Sequence, residues 1–167
     1  LSVALSPMQK PEHPKPHVEA FFDEATSTLS YVVADMDNKV CVVIDPVLDI
    51  NDGAAEISTH SADRIVRFIE ECELHAVYIF ETHAHADHLS ASYYLKQKLS
   101  AKIGISSLIG EIQRKFAGIY SESPHFAVDG SQFDILLNDQ QTLPLGALQI
   151  TALHSPGHTP ACMAYHI

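Results

Sequence analysis

Four potential metal ligands fall within six residues in the stretch Glu81-Thr82-His83-Ala84-His85-Ala86-Asp87-His88. His83 and His85 are two positions apart, so an extended loop can turn both imidazoles the same way. Asp87 and His88 follow, and on a starting helix they would project into an adjacent second position. Ala84 and Ala86 are small and leave room for the larger side chains to converge. Neutral imidazole with carboxylate suits zinc, iron or manganese far better than calcium or magnesium. The bland reading is an exposed histidine-rich loop without metal. The density of the cluster weighs against it, as does its setting directly after an apolar run.

A second signal is His154-Ser155-Pro156-Gly157-His158-Thr159-Pro160. Pro156-Gly157 makes a tight turn that can aim His158 at a fixed point. Alone, this tripeptide is as easily a surface turn. Beside the first cluster it offers one more imidazole to the same metal. His154 lies outside the turn and is expected to support or pack. Thr159 can orient a ligand or cap the next segment. Asp45, in the Asp45-Pro46 step, can brace the metal loop through hydrogen bonds or simply form a turn.

The elements that must position these groups are legible in the pattern. Thr28–Ala34 and Val40–Ile44 are β-branched runs around the polar turn 35–39, and they read as a hairpin. Ser58–Glu73 carries Ala62, Ile65, Phe68, Ile69 and Cys72 at helical spacing, with Ser58, Thr59 or Ser61 as caps. Ala76–Phe80 is a short apolar run, a strand buried on both faces that leads straight into the histidine cluster. Leu89–Leu99 and Ser107–Phe116 read as helices, and Lys102–Ile105 as a strand between them. Ala117–Gly130 is polar and irregular and reads as a surface insertion. Phe133–Leu137, Ala147–Leu153 and Cys162–Ile167 are strand candidates, with Leu145-Gly146 as a turn. The order predicts a mixed α/β chain with helices covering a sheet.

Composition narrows the rest. The chain has 167 residues, with 10 Lys+Arg against 21 Asp+Glu and a formal charge of −11. That is enough chain for one domain with a real core. The acidic balance disfavours nucleic-acid backbones and anionic membrane surfaces as partners. No apolar run reaches the roughly 18 residues of a membrane span. The 11 histidines outnumber all lysines and arginines together, which draws attention to metal or proton chemistry. The 3 cysteines, Cys41, Cys72 and Cys162, form no disulfide framework, so a reducing compartment is expected. The cytoplasm fits, as does the mitochondrial matrix for a eukaryotic chain. Cys41 and Cys72 read as core thiols, and Cys162 as either core or a neighbour of the site. Residues 1–17 carry four prolines and read as an extended arm, with the folded domain over 18–167. His60 and His75 near helix ends read as solvated, His166 as an edge-strand residue, and Tyr93-Tyr94 as packing groups.

THAHADH followed by SPGHTP resembles the metallo-β-lactamase fold superfamily. Within it the chain is similar to the glyoxalase II-like branch, and most to the persulfide dioxygenases (sulfur dioxygenases) and bacterial β-lactamase-like hydrolase proteins. FFDEATSTLSYVVAD, VIDPVLDI and PGHTPAC carry that finer likeness, with Cys162 its most useful mark and Ala161 a departure from the glycine of the eukaryotic enzymes. The resemblance implies an αββα sandwich, of which this chain reads as the first half to two-thirds. It implies metal ligands among His83, His85, Asp87, His88 and His158. In persulfide dioxygenases one Fe(II) is held by groups matching His83 and His158 plus a later Asp. His85, Asp87 and His88 then orient ligands or move protons, so that Asp87 and His88 are the candidate catalytic groups. In glyoxalase II-like hydrolases the whole set holds two metals, typically zinc. Residues 159–167 contain no carboxylate, so the later Asp is expected from outside them, from further chain, a second chain or a homo-oligomer. The activity implied is oxidation of a glutathione-type persulfide by O2 to sulfite and thiol. The alternatives are a dinuclear hydrolase of thioesters or lactones, and a non-catalytic metal-binding fragment. The partner expected is a small thiol or persulfide, with neither nucleic acid nor membrane.

Overall fold

The computed structural model describes residues 14–51, 54, 56–123 and 125–167. Most of the expected proline-rich arm, and part of the loop at Asn51-Asp52-Gly53, lie outside these residues. The elements in chain order are β1 (His17–Asp23), β2 (Thr28–Asp35), β3 (Val40–Ile44), β4 (Val47–Asn51), β5 (Glu56–Ser58), α1 (His60–Glu71), β6 (His75–Phe80), β7 (Leu89–Ser90) and α2 (Ser92–Leu99). They continue with β8 (Lys102–Ser106), α3 (Ile109–Tyr120), β9 (Ile135–Leu137), β10 (Thr142–Leu145), β11 (Leu148–His154) and β12 (Met163–His166).

Alternation along the strands builds two cores at once. Successive side chains in a strand point to opposite faces. In β2 and β3 both sets are apolar, so the sheet must be covered twice. Val32, Ala34, Cys41 and Val43 face Ile65 and Ile69 of α1 and Leu95 of α2. Val33 and Val42, with Tyr78 and Phe80 of β6, face Leu145, Leu148, Ile150 and Met163 of a second sheet. The first sheet has six strands in the order β1-β2-β3-β6-β8-β9, and the second three, β10-β11-β12. The result is a helix–sheet–sheet arrangement of the expected mixed α/β class.

In the large sheet β1, β2 and β3 pair antiparallel, whereas β3-β6, β6-β8 and β8-β9 are parallel. The parallel strands are joined through α1, α2 and α3, as crossover connections require. Their carboxyl ends therefore lie side by side. Asp45 follows β3 and Glu81 follows β6, so the Asp45 turn and the histidine cluster emerge at the same edge. That is where open α/β sheets place ligands.

A third small sheet, β5-β4-β7, was not apparent from the pattern. It corrects two boundaries. Leu89 and Ser90 are strand rather than helix, because Leu48 pairs with Leu89 and Val47 with Ser90. Residues 56–58 pair with β4, so α1 starts at His60 rather than Ser58. Its first turn is capped from outside: Asp49 accepts from Ser61 N (2.8 Å) and Ser61 Oγ (2.6 Å). β1 begins at His17, at the end of the expected arm, and α3 runs to Tyr120, four residues into the expected insertion. Short strands whose pairing is set by distant segments carry little local signal. Among the described residues no helix is long and apolar enough to cross a membrane.

A polar junction ties the two sheets at Asp35. Asp35 Oδ2 accepts from Ala147 N (2.7 Å) and Asn38 Nδ2 (2.7 Å), while Oδ1 accepts from Asn38 N (3.1 Å). The Ala147 amide is the main reason its carboxyl is held below the usual carboxylate range. A lowered folded pKa stabilises above the ordinary range and is lost as pH falls through the lowered value. Gly146 makes this approach possible. Its φ is +63°, and a Cβ there would lie 2.4 Å from Asp35 Oδ2. Gly146→Ala is expected to destabilise the fold by about 1–3 kcal/mol, read by urea unfolding. An unchanged midpoint would show that the junction is slack.

Candidate metal centre

The loop after β6 is shaped by hydrogen bonds to Asp45. Asp45 itself has a left-handed backbone, φ 49°, which aspartate tolerates better than most residues. Its amide bonds Phe80 O (2.9 Å) and its carbonyl accepts from Ser30 Oγ (2.7 Å), which fixes the turn. Its carboxylate then accepts from Thr82 N (Oδ1, 2.7 Å) and Thr82 Oγ1 (Oδ2, 2.7 Å). From the other side, β12 holds the same loop through Met163 N to Thr82 O (2.8 Å) and Tyr165 Oη to Glu81 O (2.7 Å). Burial, then the nearby Asp45 and Glu81, push the Tyr165 hydroxyl pKa up, so it stays a donor.

Four imidazoles form a contiguous run. The ring centroid of His83 is 4.1 Å from His85 and 4.9 Å from His158, the latter edge-to-face, and His85 is 4.2 Å from His88. Asp87 is exposed, with Oδ1 3.4 Å from His88 Nδ1 and 3.9 Å from His85 Nδ1. The structure thus brings His83, His85, His88 and His158 together with Asp87 at one edge. It corrects the expectation that Asp87 and His88 open a helix. Both lie in the loop before β7, and α2 starts at Ser92 because Ala91 N bonds Pro46 O (2.8 Å) and Ser92 N bonds Ser90 Oγ (3.0 Å).

The free nitrogens can be identified from the occupied ones. Thr82 Oγ1 gives its proton to Asp45, so its contact with His83 Nδ1 (2.9 Å) makes that nitrogen the donor. His83 Nε2 is left with a lone pair. His85 Nε2 donates to Asp45 Oδ1 (3.0 Å) and lies 3.1 Å from Glu81 Oε2, which leaves Nδ1 as the nitrogen open to a metal. Burial opposes charge on His85, but the hydrogen bonds to Asp45 and Glu81 outweigh it and raise its pKa to about 10, so a metal binding at Nδ1 would displace a proton there. Burial lowers the pKa of His83 and of His88, and the neighbouring His85 adds to both shifts.

His88 supplies the test of fit. Its side chain is fully buried, yet neither Nδ1 nor Nε2 has a hydrogen-bond partner. Two orphaned ring nitrogens are costly unless something binds one of them. A divalent transition metal fits, because His85, Asp87 and His88 each present a ligand atom within 4.8 Å of the others.

Other groups take supporting places. His154 Nε2 contacts Pro160 O (2.7 Å) and the His154 amide bonds Asp139 Oδ1 (2.7 Å), so it shapes the turn. Cys162 is half-buried, its Sγ 3.1 Å from both Thr159 N and Thr159 Oγ1 beside His158. Sequence reasoning missed Glu81 and Tyr165 as parts of the site. A carboxylate ending an apolar strand, just before the histidines, was the available signal for Glu81. A cavity of about 400 Å³ beside His83 and His85 has apolar walls of Ala84, Tyr93, Ile103, Ile105 and Phe133.

Comparisons with known proteins agree with this geometry. The family described as "Metallo-beta-lactamase superfamily" matches residues 23–167. The chain is 46% identical over 148 residues to a probable metallo-hydrolase of Burkholderia pseudomallei, covering 89% of this chain and 50% of that protein. It is 28% identical over 144 residues to the human mitochondrial persulfide dioxygenase ETHE1, covering 86% and 45%. The crystal structure of ETHE1 from Myxococcus xanthus matches with a TM-score of 0.66 at 25% identity, over 90% of this chain and 53% of that one. The chain thus spans about half the length of the curated relatives it matches.

Thr82→Val keeps the shape of the loop residue but removes the bridge between His83 and Asp45. Metal affinity, read by competition with a chromogenic chelator, is expected to fall roughly ten- to hundredfold in folded protein. Unchanged affinity would show that the bridge does not orient His83.

Proposed function

We propose, for a chain that belongs to the metallo-β-lactamase superfamily, that it supplies the histidine side of a metal centre oxidising a glutathione-type persulfide with O2. The observation that carries this reading is the division of labour among the imidazoles. His83 and His158 meet edge-to-face at 4.9 Å with His83 Nε2 free, while His85 Nε2 is engaged by Asp45 and Glu81. Two imidazoles and one carboxylate form the facial set used for oxygen-activating Fe(II). The resemblance implies that this carboxylate is a later Asp. Bound there, Fe(II) supplies the redox chemistry that couples O2 to the persulfide.

The chain's own residues prepare that chemistry. Thr82 and Asp45 hold the His83 proton on Nδ1, so the ring cannot turn its donor toward the centre. Asp87 Oδ1, beside His88 Nδ1, holds or hands on a proton at the exposed rim. Ile103, Ile105 and Phe133 give the adjoining cavity an apolar wall. The −11 charge gives no steering for an anionic thiol, so binding is expected to rest on this local cavity.

A second reading rests on a separate observation. The three donors of His85, Asp87 and His88 are close enough for a second metal, and the Burkholderia relative carries a metallo-hydrolase name. Two metals would lower the pKa of a bound water for attack on a thioester or lactone. The two readings separate cleanly. The protein purified with its native metal is expected to carry about one iron per chain and to consume O2 with glutathione persulfide. Both His83→Ala and His158→Ala are expected to abolish that uptake. Bound zinc with thioester cleavage, and no O2 uptake, would overturn the dioxygenase reading in favour of the hydrolase.

A further inference from the structure

We infer that Glu81 is a positioning residue for the metal centre, seating His85 so that Nδ1 rather than Nε2 faces the metal. The inference rests on the second reading above, in which His85, Asp87 and His88 hold a metal, and goes beyond it by assigning a role to a group outside the histidine motif.

Glu81 is the last place a carboxylate would sit without a task. It directly follows β6 and is 3% exposed. A buried carboxylate left without compensation is strongly destabilising. Its two oxygens are used differently. Oε1 accepts from both Ser90 Oγ and Ser92 Oγ, which pins the side chain to β7 and the start of α2. Oε2 accepts no well-directed hydrogen bond, and the polar atom it faces is His85 Nε2, at 3.1 Å. The serines therefore aim the second oxygen at one nitrogen.

Asp45 alone is a poor substitute. Its Oδ1, the atom bonded to His85 Nε2, already accepts from Thr82 N, and its Oδ2 accepts from Thr82 Oγ1. Asp45 is committed to the loop backbone, whereas Glu81 Oε2 is uncommitted. Flanking by two carboxylates leaves one arrangement for the ring: Nε2 carries the proton and Nδ1 turns toward Asp87 and His88. A carboxylate behind a ligating imidazole also raises its basicity and so tightens the metal.

The test uses Glu81→Met, which keeps length and apolar bulk without an acceptor, and Glu81→Gln, which keeps an acceptor without charge. In chelator competition with Zn²⁺, Glu81→Met is expected to bind roughly ten- to hundredfold more weakly than wild type, with Glu81→Gln in between. In the zinc-loaded protein the His85 ring N–H should resonate as Nε2–H at low field. It should move upfield in Glu81→Met. A merely structural carboxylate would lower the thermal midpoint of both variants and leave affinity and resonance of the folded fraction unchanged, which overturns the inference. If Glu81→Met does not fold, the double variant Ser90→Ala/Ser92→Ala carries the test. With Glu81 freed from its seat, the protein should hold metal several-fold less well, and unchanged affinity overturns the inference. Wild type that binds no Zn²⁺ overturns the metal reading itself, and the inference with it. Wild type that binds normally, with unaffected variants, overturns only the role of Glu81.

Discussion

The carboxylate of Asp45 reaches across the end of the sheet to Thr82 N, Thr82 Oγ1 and His85 Nε2. Three donors on one carboxylate fix the backbone of the loop and the tautomer of His83, and engage His85 Nε2 in the same arrangement. The left-handed φ of 49° that makes this reach possible costs of order 1–3 kcal/mol. It persists because Ser30 and Phe80 over-determine the turn from both sides. Charge-assisted hydrogen bonds are roughly twice as strong as neutral ones, so the turn more than offsets its strain.

Everything around that contact serves to keep β3 and β6 adjacent and rigid. Their parallel pairing aligns Ile44 with Phe80, so the two chain segments leave the sheet together. Phe80 is fully buried and stacks on Tyr78 and Tyr165, with ring centroids 5.2 and 5.1 Å away. Tyr165 spends its hydroxyl on Glu81 O. One aromatic column thus joins the core between the sheets to the first residue of the loop. The small sheet β5-β4-β7 does the same work from the helical side, because it ties the segment after Asp45 to the segment after His88. A metal loop braced on three sides needs little reorganisation to bind, which is what ordered ligand sites require.

Glu81 and His88 show opposite ways in which burial can be compensated. The carboxylate is satisfied within the protein on one oxygen and faces an imidazole with the other. Among the described residues the imidazole of His88 has no hydrogen-bond partner on either nitrogen. Such an orphan calls for a compensating partner, and a bound metal would supply one. The same low dielectric makes both groups sensitive to small displacements.

The amino-acid sequence by itself determined the local chemistry. The ligand types and their spacing over 81–88, the turn at 156–158, and the alternation that makes β2, β3 and β6 apolar on both faces are properties of neighbouring residues. The resemblance these carry was enough to name the superfamily and the mixed α/β class. The sequence left open which role Asp45 and Cys162 play, and it placed Asp87, His88 and Leu89 on a helix. Only the tertiary structure decided those points. Whether Leu89 is strand or helix depends on Leu48, whether Asp45 braces or merely turns depends on Thr82 and His85, and the use of Glu81 depends on Ser90, Ser92 and His85. These partners lie 4 to 41 residues away along the chain and meet only when parallel strands bring their carboxyl ends to one edge. Local propensity cannot encode a hydrogen bond whose other half is set by the packing of a distant element.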